Sequence, residues 1–235
     1  MLLLAFETSA KAGSVALMEE QKLLAQSYQN TGLTHSQTIM SMAESMLKSC
    51  GFTPQDVTAV AVAAGPGSFT GVRIGVAAAK GFAWGSQIPC YGVSTVEAMA
   101  LQLGVYDGIV VSVMDARRNQ VYNAVFEARQ GSLNRLSPDR AISLEDLGEE
   151  LAKYEKPIYL VGDGSILCYN TLKDQIPNLI LPPEHRMHQS AAGVALLAME
   201  QIRRGDAGNA AALEPNYLRL SQAERERLEK QNKEN

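Results

Sequence analysis

Leu2-Leu3-Leu4-Ala5-Phe6 followed by Gly13-Ser14-Val15-Ala16-Leu17-Met18 reads as a strand, a polar turn and a second strand. Ile109 to Met114 followed by Gln120 to Glu127 reads the same way in the other half of the chain. The repeat is one of architecture and not of sequence, and it points to two units built on one plan. Between and after these pairs, strands alternate with helices. Val57 to Ala64 is a continuous apolar run of the buried-strand kind, and Pro89 to Val93 and Pro157 to Val161 suit further strands. Ser94 to Glu97 has the form of a capping box opening a helix through Leu103, and Ser190 to Arg204 is an amphipathic helix. Alternation of this kind in both halves predicts an α/β fold.

Two helices of the first half have unusual faces. Thr34-His35-Ser36-Gln37 has the form of a capping box, with Gly51 beyond the last periodic residue, which predicts a helix over 35–50. Its apolar stripe is Ile39, Met42, Ala43, Met46, Leu47 and Cys50, and Met40 lies off that stripe. The segment 70–85 is a helix of small residues, with Gly71, Gly75 and Ala79 on one line and Ala77, Gly81 and Gly85 on the next. Each glycine costs about 1 kcal/mol relative to alanine inside a helix, so close approach of another backbone is the simplest compensation. Met40, Met42 and Met46 suit either an adaptable protein interface or ordinary core filling.

The 235 residues, 46% of them hydrophobic, suffice for a real core in one or two domains. Residues 1–104 carry 11 of the charged side chains and residues 105–235 the other 35, which places a boundary near Gly104 to Gly108. A charged tail from Ser221 onward reads as a solvated, fraying helix. The net charge of −4 argues against an autonomous nucleic-acid binder, which would gather Lys and Arg on one face. Cys50, Cys90 and Cys168 are odd in number and lack CxxC spacing, as expected of reduced thiols in a cytoplasmic protein. Met1 to Glu7 lacks a basic leader region, and no run approaches the ~20 apolar residues of a membrane span.

Chemistry-bearing motifs are few. Gly65-Pro66-Gly67-Ser68-Phe69-Thr70-Gly71 joins a buried strand to a helix start and reads either as a tight turn or as an anion or nucleotide contact. Its glycine spacing fits neither a dinucleotide loop nor a P-loop, and Ser68 lacks the glycines of a nucleophile elbow. His35, His185 and His188 are the three histidines, and no metal site or Ser/His/Asp set can be assembled around them. Arg117 and Arg118 stand in a turn between strands, suited to anion or partner recognition or to a solvated hairpin.

Leu3 to Ser9, the stretch GPGSFTGVRIGVAAAKGFAW, Tyr91 to Ala98 and Met114 to Arg118, in this order, resemble the TsaB (YeaZ) family of bacterial tRNA threonylcarbamoyladenosine biosynthesis proteins. Gly162-Asp163-Gly164 and Pro215-Asn216-Tyr217-Leu218-Arg219 extend the likeness toward the C-terminus. The resemblance implies a two-lobed actin-like ATPase fold, each lobe a mixed sheet flanked by helices: lobes at 1–104 and 105–220, and a tail at 221–235. It also implies kinship with the transferase TsaD, whose two metal-binding histidines would align with Thr95 and Met99. Neither holds a hard or borderline ion, so the resemblance implies an inactive scaffold and activator of TsaD, with no catalytic residue and no metal.

The implied partners are TsaD as a heterodimer, the ATPase TsaE, and a second copy as a homodimer, with tRNA reached only through the complex and no membrane involved. The implied interface comprises His35, Ile39, Met40, Ala43 and Leu47 of the first helix and Gly71, Ile74, Gly75, Ala78 and Phe82 of the second. Gly67, Ser68, Arg117 and Arg118 are expected as anion or partner contacts, and ATP or ADP, if present, at the complex interface. The alternatives are an ATP-binding small-molecule kinase of the same fold and, with less support, a peptidase-like hydrolase. Against the kinase, Glu7 replaces the aspartate usual in the first phosphate turn.

Overall fold

The computed structural model describes residues 1–219, so the charged segment from Ser221 lies outside the described residues. In chain order the first half forms β1 (Leu2–Glu7), β2 (Gly13–Glu19), β3 (Lys22–Gln29), α1 (His35–Ser49), β4 (Ala59–Gly65), α2 (Phe69–Ser86), β5 (Cys90–Ser94) and α3 (Thr95–Ala100). The second half forms β6 (Gly108–Asp115), β7 (Gln120–Arg129), β8 (Ser132–Arg135), β9 (Arg140–Ser143), α4 (Leu144–Leu151), β10 (Ile158–Val161), α5 (Ser165–Leu172), β11 (Leu179–Ile180) and α6 (Ala191–Arg204). The first sheet has the order β3-β2-β1-β4-β5 and the second β8-β7-β6-β10-β11, with β9 also paired to β7. In both, the first three strands run antiparallel and the last two join the first in parallel. The strand-turn-strand likeness seen in the sequence is therefore the start of a complete internal repeat.

β1 is central and buried on both faces, so its side chains sort by period two. Leu2, Leu4 and Phe6 face α1 and α2, together with Val15, Leu17, Val60 and Val62 of neighbouring strands. Leu3 and Ala5 face the other way, with Ala16, Ala61 and Ala63, and this small-residue face receives Ala191, Val194, Ala195 and Ala198 of α6. The chain thus crosses over twice. α3 leaves the first sheet and packs Val96, Met99, Ala100 and the following Leu103 on Val110, Met114, Ala124 and Phe126 of the second lobe. α6 returns from the second sheet to the first. The two helices touch where Gly193 fits under the Ala98 carbonyl, with no room for a Cβ.

This crossing corrects the simple division at residues 104 and 105. The sheets lie on either side of it, but α6 packs on the alanine face of the first lobe and residues 205–219 run along α2. One local expectation also changes. Thr34 starts α1 without a side-chain capping bond, and the His35 ring instead bonds the Ala10 carbonyl oxygen at 2.7 Å. A true capping box occurs at Thr53 and Asp56, around the 3-10 turn Pro54–Asp56. Ser68, Ser94, Ser143 and Ser190 cap the starts of α2, α3, α4 and α6 with their hydroxyls. The three cysteines are unpaired, and none of the described helices is long and apolar enough to cross a membrane.

Candidate functional site

α1 and α2 lie side by side on one face of the first sheet. Of the residues expected at a partner interface, Ile39, Ala43 and Leu47 are buried against that sheet with Met42 and Met46. The apolar stripe of α1 is its inner face, and the expectation that these three meet a partner is corrected accordingly. Gly71 and Gly75 are also buried inward: a Cβ on Gly71 would strike the Thr8 carbonyl oxygen, and one on Gly75 the Thr8 hydroxyl. The Thr8 hydroxyl in turn donates to the Gly71 carbonyl at 2.7 Å. The glycine cost at these two positions is offset by the close approach of Thr8, the residue after β1. His35 is half-buried and fills the space above Gly13, a structural role.

The outward face holds the remainder. Met40 is 43% exposed, Ile74, Ala78 and Phe82 are half-buried at the edge of the core, and Trp84 is 73% exposed. Gly81 and Gly85 face open space where a Cβ would stand. Two kinds of glycine therefore occupy one helix, and the outward pair has no explanation inside the chain.

A cleft of about 720 Å³ opens between the lobes. The turn after β1 contributes Ser9, Ala10 and Lys11; the start of α2 contributes Gly67, Ser68, Phe69 and Thr70; the β6–β7 turn contributes Asp115, Ala116 and Arg117. The expected contacts Gly67, Ser68 and Arg117 are thus brought together, while Arg118 is exposed in the same turn. Arg117, Arg118 and Asn119 all have positive φ, an αL run that fixes the turn's shape. Gly67 cannot be larger, since a Cβ would press on the Ser9 carbonyl, which accepts the Ser68 N–H at 2.7 Å. The Ser9 hydroxyl is fully buried without a partner.

Two buried carboxyl groups lie near the cleft, of which Asp163 lines it and Glu7 does not. Glu7 is fully buried; the Ser9 N–H donates to its Oε1 at 2.6 Å and its Oε2 has no partner. Burial outweighs these hydrogen bonds and pushes its carboxyl up to about 7. Asp163 is also raised, by burial first and then by the Asp115 carboxylate, against the Gln189 amide that donates to it at 2.8 Å. Gly162 and Gly164, on either side of it, fit tightly against the end of β6.

The sequence motif Pro215 to Arg219 acquires a position that its residue types could not announce. Residues 205–219 form a strap along α2: Lys80 Nζ donates to the Leu213 carbonyl at 2.9 Å, the Asn216 N–H to that of Ala64 at 2.6 Å, and the Arg219 guanidinium to that of Ala116 in the second lobe. The strap closes one wall of the cleft. Thr95 and Met99 are buried at the base of α3, Met99 within the apolar layer between the lobes.

Two lobes of the same strand order, joined by crossed helices around a cleft, make this an actin-like ATPase fold. The ethanolamine utilization protein EutJ from Carboxydothermus hydrogenoformans shares the fold alone, with a TM-score of 0.52 and 14% identity over 83% of this chain and 90% of that one. A family model described as TsaD, tRNA N6-adenosine threonylcarbamoyltransferase, matches residues 26–227. The tRNA threonylcarbamoyladenosine biosynthesis protein TsaB of Bacillus subtilis is 33% identical over 98% of this chain and all of its own length, and that of Escherichia coli 29% identical over 93% and 95%. YeaZ from Pseudomonas aeruginosa superposes with a TM-score of 0.75 at 27% identity, covering 92% of this chain and 99% of that one. The chain belongs to the TsaB (YeaZ) family of tRNA threonylcarbamoyladenosine biosynthesis proteins.

Proposed function

We propose that this protein is a non-catalytic scaffold in the formation of threonylcarbamoyladenosine in tRNA, holding the transferase TsaD in a competent form through the outward face of α1 and α2. The observation that carries this reading is that face: Met40 and Trp84 exposed, Ile74, Ala78 and Phe82 half-covered, Gly81 and Gly85 open. A partner helix laid over the open glycines would bury the apolar residues around them. The same face would pair two copies of this chain when the transferase is absent. TsaE and tRNA then join the complex, tRNA without a dedicated surface here, and the reaction takes place in the cytoplasm. Chemistry is assigned to the transferase, since Thr95 and Met99 stand buried where the resemblance places its metal ligands.

The cleft is not assigned a nucleotide. In support, Glu7 is turned into the protein against Ser9 and not toward the cleft turns, Arg117 to Asn119 take the place of a glycine-rich phosphate loop, and Gly162 and Gly164 are closed by β6. Any ATP or ADP belongs at the interface with the transferase.

Co-purification with TsaD tests the interface. Met40→Glu and Ala78→Arg should each release the heterodimer and abolish tRNA modification while leaving the melting temperature within a few degrees. Unchanged binding by both variants, or full-rate modification by TsaD and TsaE without this chain, overturns the reading.

A further inference from the structure

Arg73 stands on the solvent side of α2, one turn after Phe69. Its guanidinium lies 4.0 Å above the Phe69 ring, its Nε donates to the Tyr217 hydroxyl at 2.7 Å, and the two rings stack with centroids 4.6 Å apart. Tyr217 belongs to the strap, which is fixed along the same helix by Lys80 and at Ala64 by the Asn216 N–H. The guanidinium is thus held on one face by Phe69 and at Nε by Tyr217. A free surface arginine keeps its rotamer freedom, and this one has already given it up.

Its charge nevertheless has no acid beside it among the described residues. Arg135, Arg140, Lys156 and Arg204 each pair with a carboxylate, and Arg73 takes part in none of these pairs. The Nε is used by Tyr217, which leaves the two Nη groups as a planar fork. Arg73, Ala77 and Gly81 follow one another at four-residue spacing, so the fork marks the cleft-side end of the line that ends in the open glycine. Aromatic residues and arginine in one rigid cluster are the composition of a binding hot spot.

We propose that Arg73 is the charged anchor of the α2 face and receives a carboxylate from the helix of the protein partner, with Phe69 and Tyr217 as its positioning residues. This rests on the partner-binding role of α2 and adds to it the chemistry that the partner must supply. A nucleic-acid phosphate fits the same fork, but a chain of net charge −4 provides little field for a polyanion, whereas the adjoining Ala77 and Gly81 suit a packed helix.

The test is titration calorimetry of the full chain with purified TsaD at several salt concentrations, with Ala78→Arg alongside and the melting temperature of each variant measured. Arg73→Ala should weaken binding about 10- to 100-fold and flatten its salt dependence. Arg73→Lys should recover little of that loss, because an ammonium neither stacks on Phe69 nor forms the fork. Tyr217→Phe, which removes only the hold on Nε, should weaken binding about 3-fold without changing the salt dependence. If Arg73→Ala binds like the unmodified chain while Ala78→Arg does not bind, the anchor is refuted and the α2 interface stands. If Ala78→Arg also binds normally, both fall. If Arg73→Ala loses affinity for tRNA alone and keeps it for TsaD, the fork is a phosphate site and the proposal is overturned.

Discussion

The two lobes repeat one plan and differ in what their helices turn outward. In the first lobe α1 and α2 run 15 and 18 residues and carry between them only Glu44, Lys48, Arg73 and Lys80 as charged side chains. In the second, α4 and α5 occupy the corresponding places with 8 residues each, and α4 alone presents Glu145, Asp146, Glu149 and Glu150. Both pairs bury an apolar face on their own sheet. The first pair also leaves Met40, Trp84 and the open Gly81 and Gly85 along its outer face, whereas the second exposes Ile166 and Leu167 on α5 beside an acidic α4, so the outer faces of the lobes differ most in charge.

The ends of the central strands sharpen this contrast most. β1 ends in Glu7, fully buried, and β6 ends in Asp115, exposed and accepting the Arg117 N–H at 2.7 Å. Because burial raises Glu7 from 4.5 to about 7, the folded state holds a proton that the unfolded chain releases. Stability therefore falls as pH rises from about 4.5 to 7 and is level above that, by at most about 3 kcal/mol from this group. Glu7→Gln should remove that limb, so that denaturant unfolding finds the variant more stable than the parent at pH 8 and little different at pH 5. Asp163 is raised in the same sense, so the difference between the two curves is the measurement. A parent curve that is flat from pH 5 to 8 would contradict the burial argument.

Equivalent substitutions on the outer helices separate the lobes by binding. Ala78→Arg on α2 should reduce affinity for TsaD at least about 100-fold, near 2.8 kcal/mol. Ile166→Arg on α5, at a residue 55% exposed, should bind within twofold of the unmodified chain. Equal losses in the two would mean that the second lobe also meets the partner, and the division of roles between lobes would be abandoned.

Much of this was legible in the sequence, and the rest was hidden for physical reasons. The strands could be read because β1 and β4 are buried on both faces and so become unbroken apolar runs. The positions of α1 and α2 could be read from periodicity, though not that the Thr34 hydroxyl makes no capping bond at the start of α1. Helical pattern shows that α3 and α6 each cover a sheet, but not which sheet, and the crossing depends on the shallow alanine face at Ala5, Ala16 and Ala61. The cleft gathers short pieces from the β1 turn, the α2 start, the β6 turn, Asp163 and the strap, far apart in the chain and without a shared motif. Least legible was the direction of each glycine, because Gly71 and Gly81 are alike until Thr8 is placed beside one of them.

That last ambiguity also yields the smallest expected effect and a direct comparison within one helix. Gly71→Ala drives a Cβ into the Thr8 carbonyl, which belongs to the backbone just after β1 and cannot rotate away as a side chain would. Overpacking of this kind should lower unfolding free energy by about 1–3 kcal/mol. Gly81→Ala meets no atom among the described residues, so the gain in helix propensity should raise stability by up to about 1 kcal/mol. Opposite signs in chemical denaturation would show that α2 is sealed to its own sheet on one side and open on the other. The open side adds a second measurement: if a partner helix lies over Gly81, the more stable variant should also bind TsaD more weakly, because the added methyl holds the two helices apart. A Gly81→Ala protein that gains stability and keeps full affinity would leave the glycine without a role in the interface and move the partner's contact toward Arg73 and Ala77.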